Sequence, residues 1–249
     1  MTRAQSDAIG FVLVFSLIVL TVGTVYAAGY PALQDLRSDE QLENMERAFE
    51  VLDDNVDDMA REGAPSRATE IKLNGGVLAV NGSTAITVEA VDAGSGANVT
   101  LNATSTPITY SHEGTTVAST YGAVVRDDPG GAVMRDGPGW VVDDHTLIPL
   151  VIAGRTADRS ALGGSSTVLL RTDVVGRGVA AELVSADGPD IDVTVTVTSP
   201  WADAWGRYFE EQGMQPVDAD PADGTVTYRI EDVESVVVQQ TAVGVELER

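Results

Sequence analysis

The side chains of this chain that could do chemistry are few and scattered. There are two histidines, His112 and His145, and His145 follows Asp143-Asp144. A carboxylate next to an imidazole is one part of a Ser–His–Asp relay, but that relay is defined in space and no serine spacing here specifies one. His145 is therefore read as a surface-loop residue. Cysteine is absent, which removes thiol nucleophiles, disulfides and cysteine zinc sites. The chain has neither a phosphate-cradling glycine loop nor a His-Glu-x-x-His pattern. The densest set of oxygen ligands is Asp218, Asp220 and Asp223, three carboxylates in one short loop. Such hard ligands suit Ca²⁺, but the bidentate glutamate of an EF-hand is missing, so the three stay candidates and no cofactor is expected. Asn81-Gly82-Ser83, Asn98-Val99-Thr100 and Asn102-Ala103-Thr104 are glycosylation sequons. This inventory predicts no enzyme.

The elements that position these residues begin with Ala8 to Ala28, an uncharged run of twenty-one residues. At ~1.5 Å rise per residue such a helix covers about 31 Å, the hydrocarbon thickness of a bilayer. Residues 1–7 carry Arg3 and the terminal amine against Asp7, whereas the flank after Tyr30 is acidic. The positive-inside rule then places residues 1–7 in the cytoplasm as a leader and everything beyond the membrane helix outside the cell. Membrane lipid is the first expected partner.

Acidic residues number 38 against 15 basic ones, a net charge of −23. Lys72 is the single lysine in that basic set. Self-repulsion at this charge is strong in ordinary buffer and largely screened in molar salt, where the Debye length is about 3 Å. The balance predicts a halophilic source and excludes nucleic acid as a partner, because no basic patch exists.

Residues 31–62 read as an amphipathic stalk helix. Its apolar positions Leu42, Met45, Phe49, Leu52, Val56 and Met59 advance in heptad steps, ready to pack on the chain's own domain or on a neighbouring subunit. Pro31 predicts a kink between the two helical stretches, and Gly63 with Pro65 predicts the end. From residue 66 to 249 the period changes to two, rich in valine and threonine, with strands at residues 70–73, 77–80, 84–89, 98–104, 108–111, 123–126, 146–151, 167–173, 180–184, 192–197, 225–230 and 234–247. Ser199 as N-cap and Pro200 as first residue predict one short helix carrying Trp201, Trp205, Tyr208 and Phe209. The expected class is α+β. A long kinked N-terminal helix, transmembrane then amphipathic, leads into a mostly antiparallel, β-sandwich-like external domain with one aromatic helix.

The start Arg3-Ala4-Gln5-Ser6-Asp7-Ala8-Ile9-Gly10 resembles that of haloarchaeal type IV pilins and pilin-like proteins. The resemblance implies cleavage between Ala4 and Gln5 by a prepilin peptidase, with like or related pilin subunits as further partners. Asp7 departs in charge from the typical start. Arg47–Leu52, Arg61–Arg67 and Ser199–Phe209 resemble segments of haloarchaeal membrane-anchored surface proteins that carry no known activity. The expected function is a pilin-like cell-surface protein, a subunit or minor component of a filament or pseudopilus. The alternative is a permanently anchored envelope protein whose β-domain binds a partner or glycan.

Overall fold

The computed structural model describes residues 2–186 and 188–249, without the side chains of residues 2–8, 28 and 31–37. The processing pair Ala4-Gln5 and the ring of Pro31 lie outside those described side chains. The chain divides into two compact units, Met1–Asn44 and Met45–Arg249, with the division inside helix α1 (Thr2–Arg61).

In the first unit Ile9–Ala27 is long and apolar enough to cross a membrane. Its Phe, Leu, Ile and Val side chains are all exposed. The two threonines of the run do not leave a polar group bare: Thr21 donates to the Leu17 carbonyl and Thr24 to the Leu20 carbonyl, each at 2.8 Å. With both threonine hydroxyls bonded to the helix backbone, the surface presented is mainly hydrocarbon.

The second unit starts with the last turns of α1. Met45, Phe49, Leu52, Val56 and Met59 are buried within it, so this part of the heptad seam is consumed by the chain's own β-rich unit and not held for a neighbour. Each such burial contributes on the order of 1.5–3 kcal/mol. Gly63 closes the helix in the left-handed region at φ 82°, which a side chain would make costly.

The strands form three sheets. The first is β1 (Ser66–Lys72), β11 (Thr167–Val184), β15 (Ser235–Glu248) and β9 (His145–Arg155), in that order, with β15 and β9 parallel. The second is β10 (Ala161–Gly163), β2 (Val77–Val80), β5 (Ile108–His112), β6 (Thr115–Thr120), β7 (Ala123–Asp128) and β8 (Gly131–Asp136). The third is β13 (Gln215–Asp218), β14 (Thr225–Val233), β12 (Ile191–Thr198), β3 (Thr84–Asp92) and β4 (Asn98–Ser105). All pairs but β9–β15 are antiparallel. β12 shows the logic of the period-two pattern. Ile191, Val193, Val195 and Val197 are fully buried while Asp192, Thr194 and Thr196 alternate outward.

The main core draws on the third sheet (Ile86, Val88, Val195, Tyr228) and on the first (Ile148, Leu150, Val236, Val238). Helix α2 (Ala202–Glu211) closes it. Trp140 packs 6.1 Å from Trp205 and 5.5 Å from Phe209, ring centre to ring centre, and Phe209 lies 5.4 Å from Tyr228. The aromatic helix is thus core, with Trp201 turned to a separate small cluster on Ala118, Val125 and Ala132 of the second sheet.

Three expectations need correction. Ser199 is not the N-cap and Pro200 is not the first helical residue: Trp201 holds the cap position without a side-chain bond. Ser199 instead heads the preceding turn, its hydroxyl accepting the Trp201 N–H at 3.2 Å and its carbonyl the Ala202 N–H. Residues 167–173 and 180–184 are one strand: Gly176 and Gly178 stay in register opposite Ala242 and Gln240, and the bulges fall at Val175 and Ala180. Strands β6, β8, β10 and β13 lie outside the expected set: Thr115–Thr120 is nearly all buried and so lacks alternation, β8 opens on a glycine, and β10 and β13 are only three and four residues long.

Candidate functional site

A cleft of about 450 Å³ lies beside the last turns of α1 in the second unit. Asp57, Ala60 and Arg61 form one wall, at helical spacing on one face. Leu147, Pro149 and Val151 of β9, with Gln239 and Thr241 of β15, form the floor. These floor residues share a sheet face because β9 and β15 run in parallel register, Pro149 beside Gln239 and Val151 beside Thr241. Gly122, Pro138, Gly139 and Val141 close the side. An apolar floor with a few polar groups at the rim, at this volume, is the usual make-up of a small-ligand pocket.

The rim is arranged by ion pairing and by a glycine. Arg61 Nε lies 3.0 Å from Asp57 Oδ2, one turn earlier on the helix. Gly139 adopts the left-handed region (φ 66°), which a side chain would strain, and a Cβ there would fall 2.9 Å from Arg61 Nη2 and push the guanidinium aside. One turn before Asp57 stands Asp53, 8 % exposed. Its carboxyl is pushed up to about 8, first by burial and then by the charges of Asp136, Asp57 and Asp54, with Arg61 opposing. Strongly perturbed acids of this kind concentrate at functional sites. Nothing in the sequence distinguished Asp53 from the other acidic residues of the helix. Its burial depends on the β-rich unit.

Nearby, Glu46 ties α1 to the second sheet. Its carboxylate accepts from Arg126 Nη1 at 2.5 Å and pairs with Arg135 Nε at 2.9 Å. Arg126 also holds Asp128 at 2.8 Å.

The residues singled out from the sequence fall elsewhere. His145 stands at the start of β9 with its Nδ1 3.1 Å from Ser235 Oγ and its Nε2 3.6 Å from Glu234 Oε2. Its side chain is 71 % exposed, so the water-poor setting that activates a serine is lacking. The carboxylate beside it is that of Glu234, from a distant strand end, rather than a neighbour in sequence. The Asp143 carboxylate accepts the Asp144 N–H, and the Asp144 main-chain carbonyl accepts the N–H groups of Glu234 and Ser235. His112 packs on Tyr110 with ring centres 6.4 Å apart. Asp218, Asp220 and Asp223 each accept a backbone N–H two residues ahead, from Asp220, Ala222 and Thr225. These carboxylates act as local turn caps. Among the described residues no group of three or more His, Cys, Asp or Glu side chains is placed to hold a metal ion. Asn81 is exposed in the turn between β2 and β3, and Asn98 and Asn102 are exposed on β4 at the edge of the third sheet. Asn102 Oδ1 accepts from Thr87 Oγ1 at 2.8 Å.

A β-rich unit with a cleft at its helix–sheet junction, and one helix, Ile9–Ala27, long and apolar enough to cross a membrane, place the chain in the α+β class. The chain belongs to a family of unknown function, DUF7289, whose model matches residues 3–246. No curated protein and no solved structure matches it.

Proposed function

We propose that this chain is a pilin-like cell-surface protein of a halophilic archaeon, a subunit or minor component of a surface filament or pseudopilus. The observation that carries this reading is the exposed apolar helix Ile9–Ala27, preceded by Arg3-Ala4-Gln5-Ser6-Asp7-Ala8 and followed by a β-rich unit. A hydrocarbon surface with its two threonines bonded inward suits lipid, and equally suits a bundle of identical helices. In this reading the N-terminus is cytoplasmic, prepilin peptidase cuts between Ala4 and Gln5, and the second unit lies outside. The helix bends at Pro31, and the first and third sheets make a sandwich-like domain over their shared core. Asn81, Asn98 and Asn102 are then on the glycosylated side of the membrane.

The cleft favours a second reading, in which the protein stays anchored and its β-rich unit binds a partner or glycan there. The two differ in the fate of the N-terminus. Intact-mass and peptide mass spectrometry of protein from its native membrane is expected to find a chain beginning at Gln5, with sugar mass on peptides that contain the sequons. A mature chain that keeps the first four residues rejects pilin-type processing.

A further inference from the structure

Strand β11 loses its outer neighbour halfway along. On that side β1 pairs with Thr167 to Asp173 and stops, and the Val174 N–H then donates to the Pro65 carbonyl at 2.9 Å. On the other side β15 follows β11 to Val184. From Val175 to Val184 the outer edge therefore carries no strand among the described residues. Such an edge is a template for another strand, and acids, lysine or proline commonly guard it. Residues 174–181 hold none of these, on a chain of net charge −23, and Val175 and Val179 stand 71 % and 57 % exposed.

The bulge at Ala180 sets which side chains share a face. Arg177, Val179 and Glu182 oppose Thr241, Gln239 and Val237, alternate residues of β15, so all three lie on one face of the sheet. Gly176, Gly178, Ala181 and Leu183 lie on the other. A second copy laid antiparallel along this edge, with a two-fold axis at Val179, then sets Arg177 opposite Glu182 twice. The same register sets Gly178 opposite Ala181 and Gly176 opposite Leu183. Without the bulge Arg177 and Glu182 would point to opposite faces and could not meet. Opposite charges directly across an antiparallel pair attract, and like charges repel. Arg177 Nη1 reaches the Met59 carbonyl at 3.4 Å, a contact that occupies one of the guanidinium's several donors.

We propose that the outer edge of β11, residues 176–183, is a self-recognition surface that joins two copies of this chain into one continuous sheet. The interface is isologous, each copy giving the same residues. It serves a filament subunit and a permanently anchored protein alike. A ribbon this short buries less than the roughly 1,600 Å² of a stable complex, so it depends on a shared membrane to hold the copies at high effective concentration.

The absence of cysteine allows a direct test. The full chain carrying Val179→Cys is reconstituted in liposomes at about 1 M KCl, which screens repulsion between two acidic copies. Copper-phenanthroline oxidises facing thiols to a disulfide, and dimer is followed on non-reducing gels. Val217→Cys, 54 % exposed on β13, is the control of similar exposure. Val179→Cys is expected to cross-link about tenfold faster than the control. Adding Arg177→Glu or Glu182→Arg alone slows it by about threefold or more, and the two swaps together restore it although the Met59 contact is lost. Equal rates at the two cysteine positions, no slowing by either single swap, or no recovery in the double swap overturns the pairing. Should Val179→Cys disturb the strand, a chain with both Arg177→Cys and Glu182→Cys tests the same register, and its failure to form dimer overturns the proposal equally.

Discussion

Glu46 shows what one residue does for the placement of the helix. Its side chain is 5 % exposed, and it meets Arg126 and Arg135, from two neighbouring strands of the second sheet. Such a carboxylate is tolerated inside only because two guanidiniums supply the charge and the hydrogen bonds that water would have given. Removing it leaves those cations without their buried partner. Glu46→Ala is expected to destabilise the second unit by about 2–4 kcal/mol, seen as a lower midpoint in denaturant unfolding with unchanged slope. Arg135, 48 % exposed, is the lesser partner, and its replacement by alanine is expected to cost under about 1 kcal/mol. None of this is legible in the sequence. Glu46 reads there as one acid among the many on a solvated helix face, because the two arginines that reach it are 80 and 89 residues away along the chain.

At the scale of elements, the last turns of α1 belong with the sheets. Phe49 and Met59 are 0 % exposed and Leu52 is 1 % exposed. Phe49→Ala is expected to lower stability by about 3–5 kcal/mol through lost burial and the cavity left behind. Val51→Ala, on the exposed side, is expected to change it by less than about 0.5 kcal/mol. Thermal or denaturant unfolding of both variants checks the contrast, and equal losses would mean that the helix is not docked through this seam. The heptad spacing was readable from the sequence, and so was the turn at Gly63. The choice between a neighbour and the chain's own sheets was not, because a spacing identifies a buried face without identifying what buries it. The same limit applies to α2. Its aromatic face was evident, but the partners that make it core, Trp140 and Tyr228, come from a loop and a strand distant in sequence.

For the whole molecule the dominant quantity is a net charge of −23. The full chain in micelles is expected to lose tertiary structure as KCl falls below about 1 M and to regain it when salt is restored, followed by tryptophan fluorescence. Retention of structure at low salt would remove the halophilic reading. The sequence by itself determined the apolar span, the change from helical to period-two patterning near residue 66, most of the strands and the lack of thiol chemistry. These properties depend on neighbours a few residues apart, where sterics and hydropathy act locally. Tertiary structure alone decided that three sheets form, that β9 and β15 run parallel, that the Asp218, Asp220 and Asp223 carboxylates cap their own turn, and that Glu46, Asp53 and Asp92 are acids shut away from water. Burial and electrostatic environment are set by which distant segments meet, and residue order does not specify that meeting until the chain has folded.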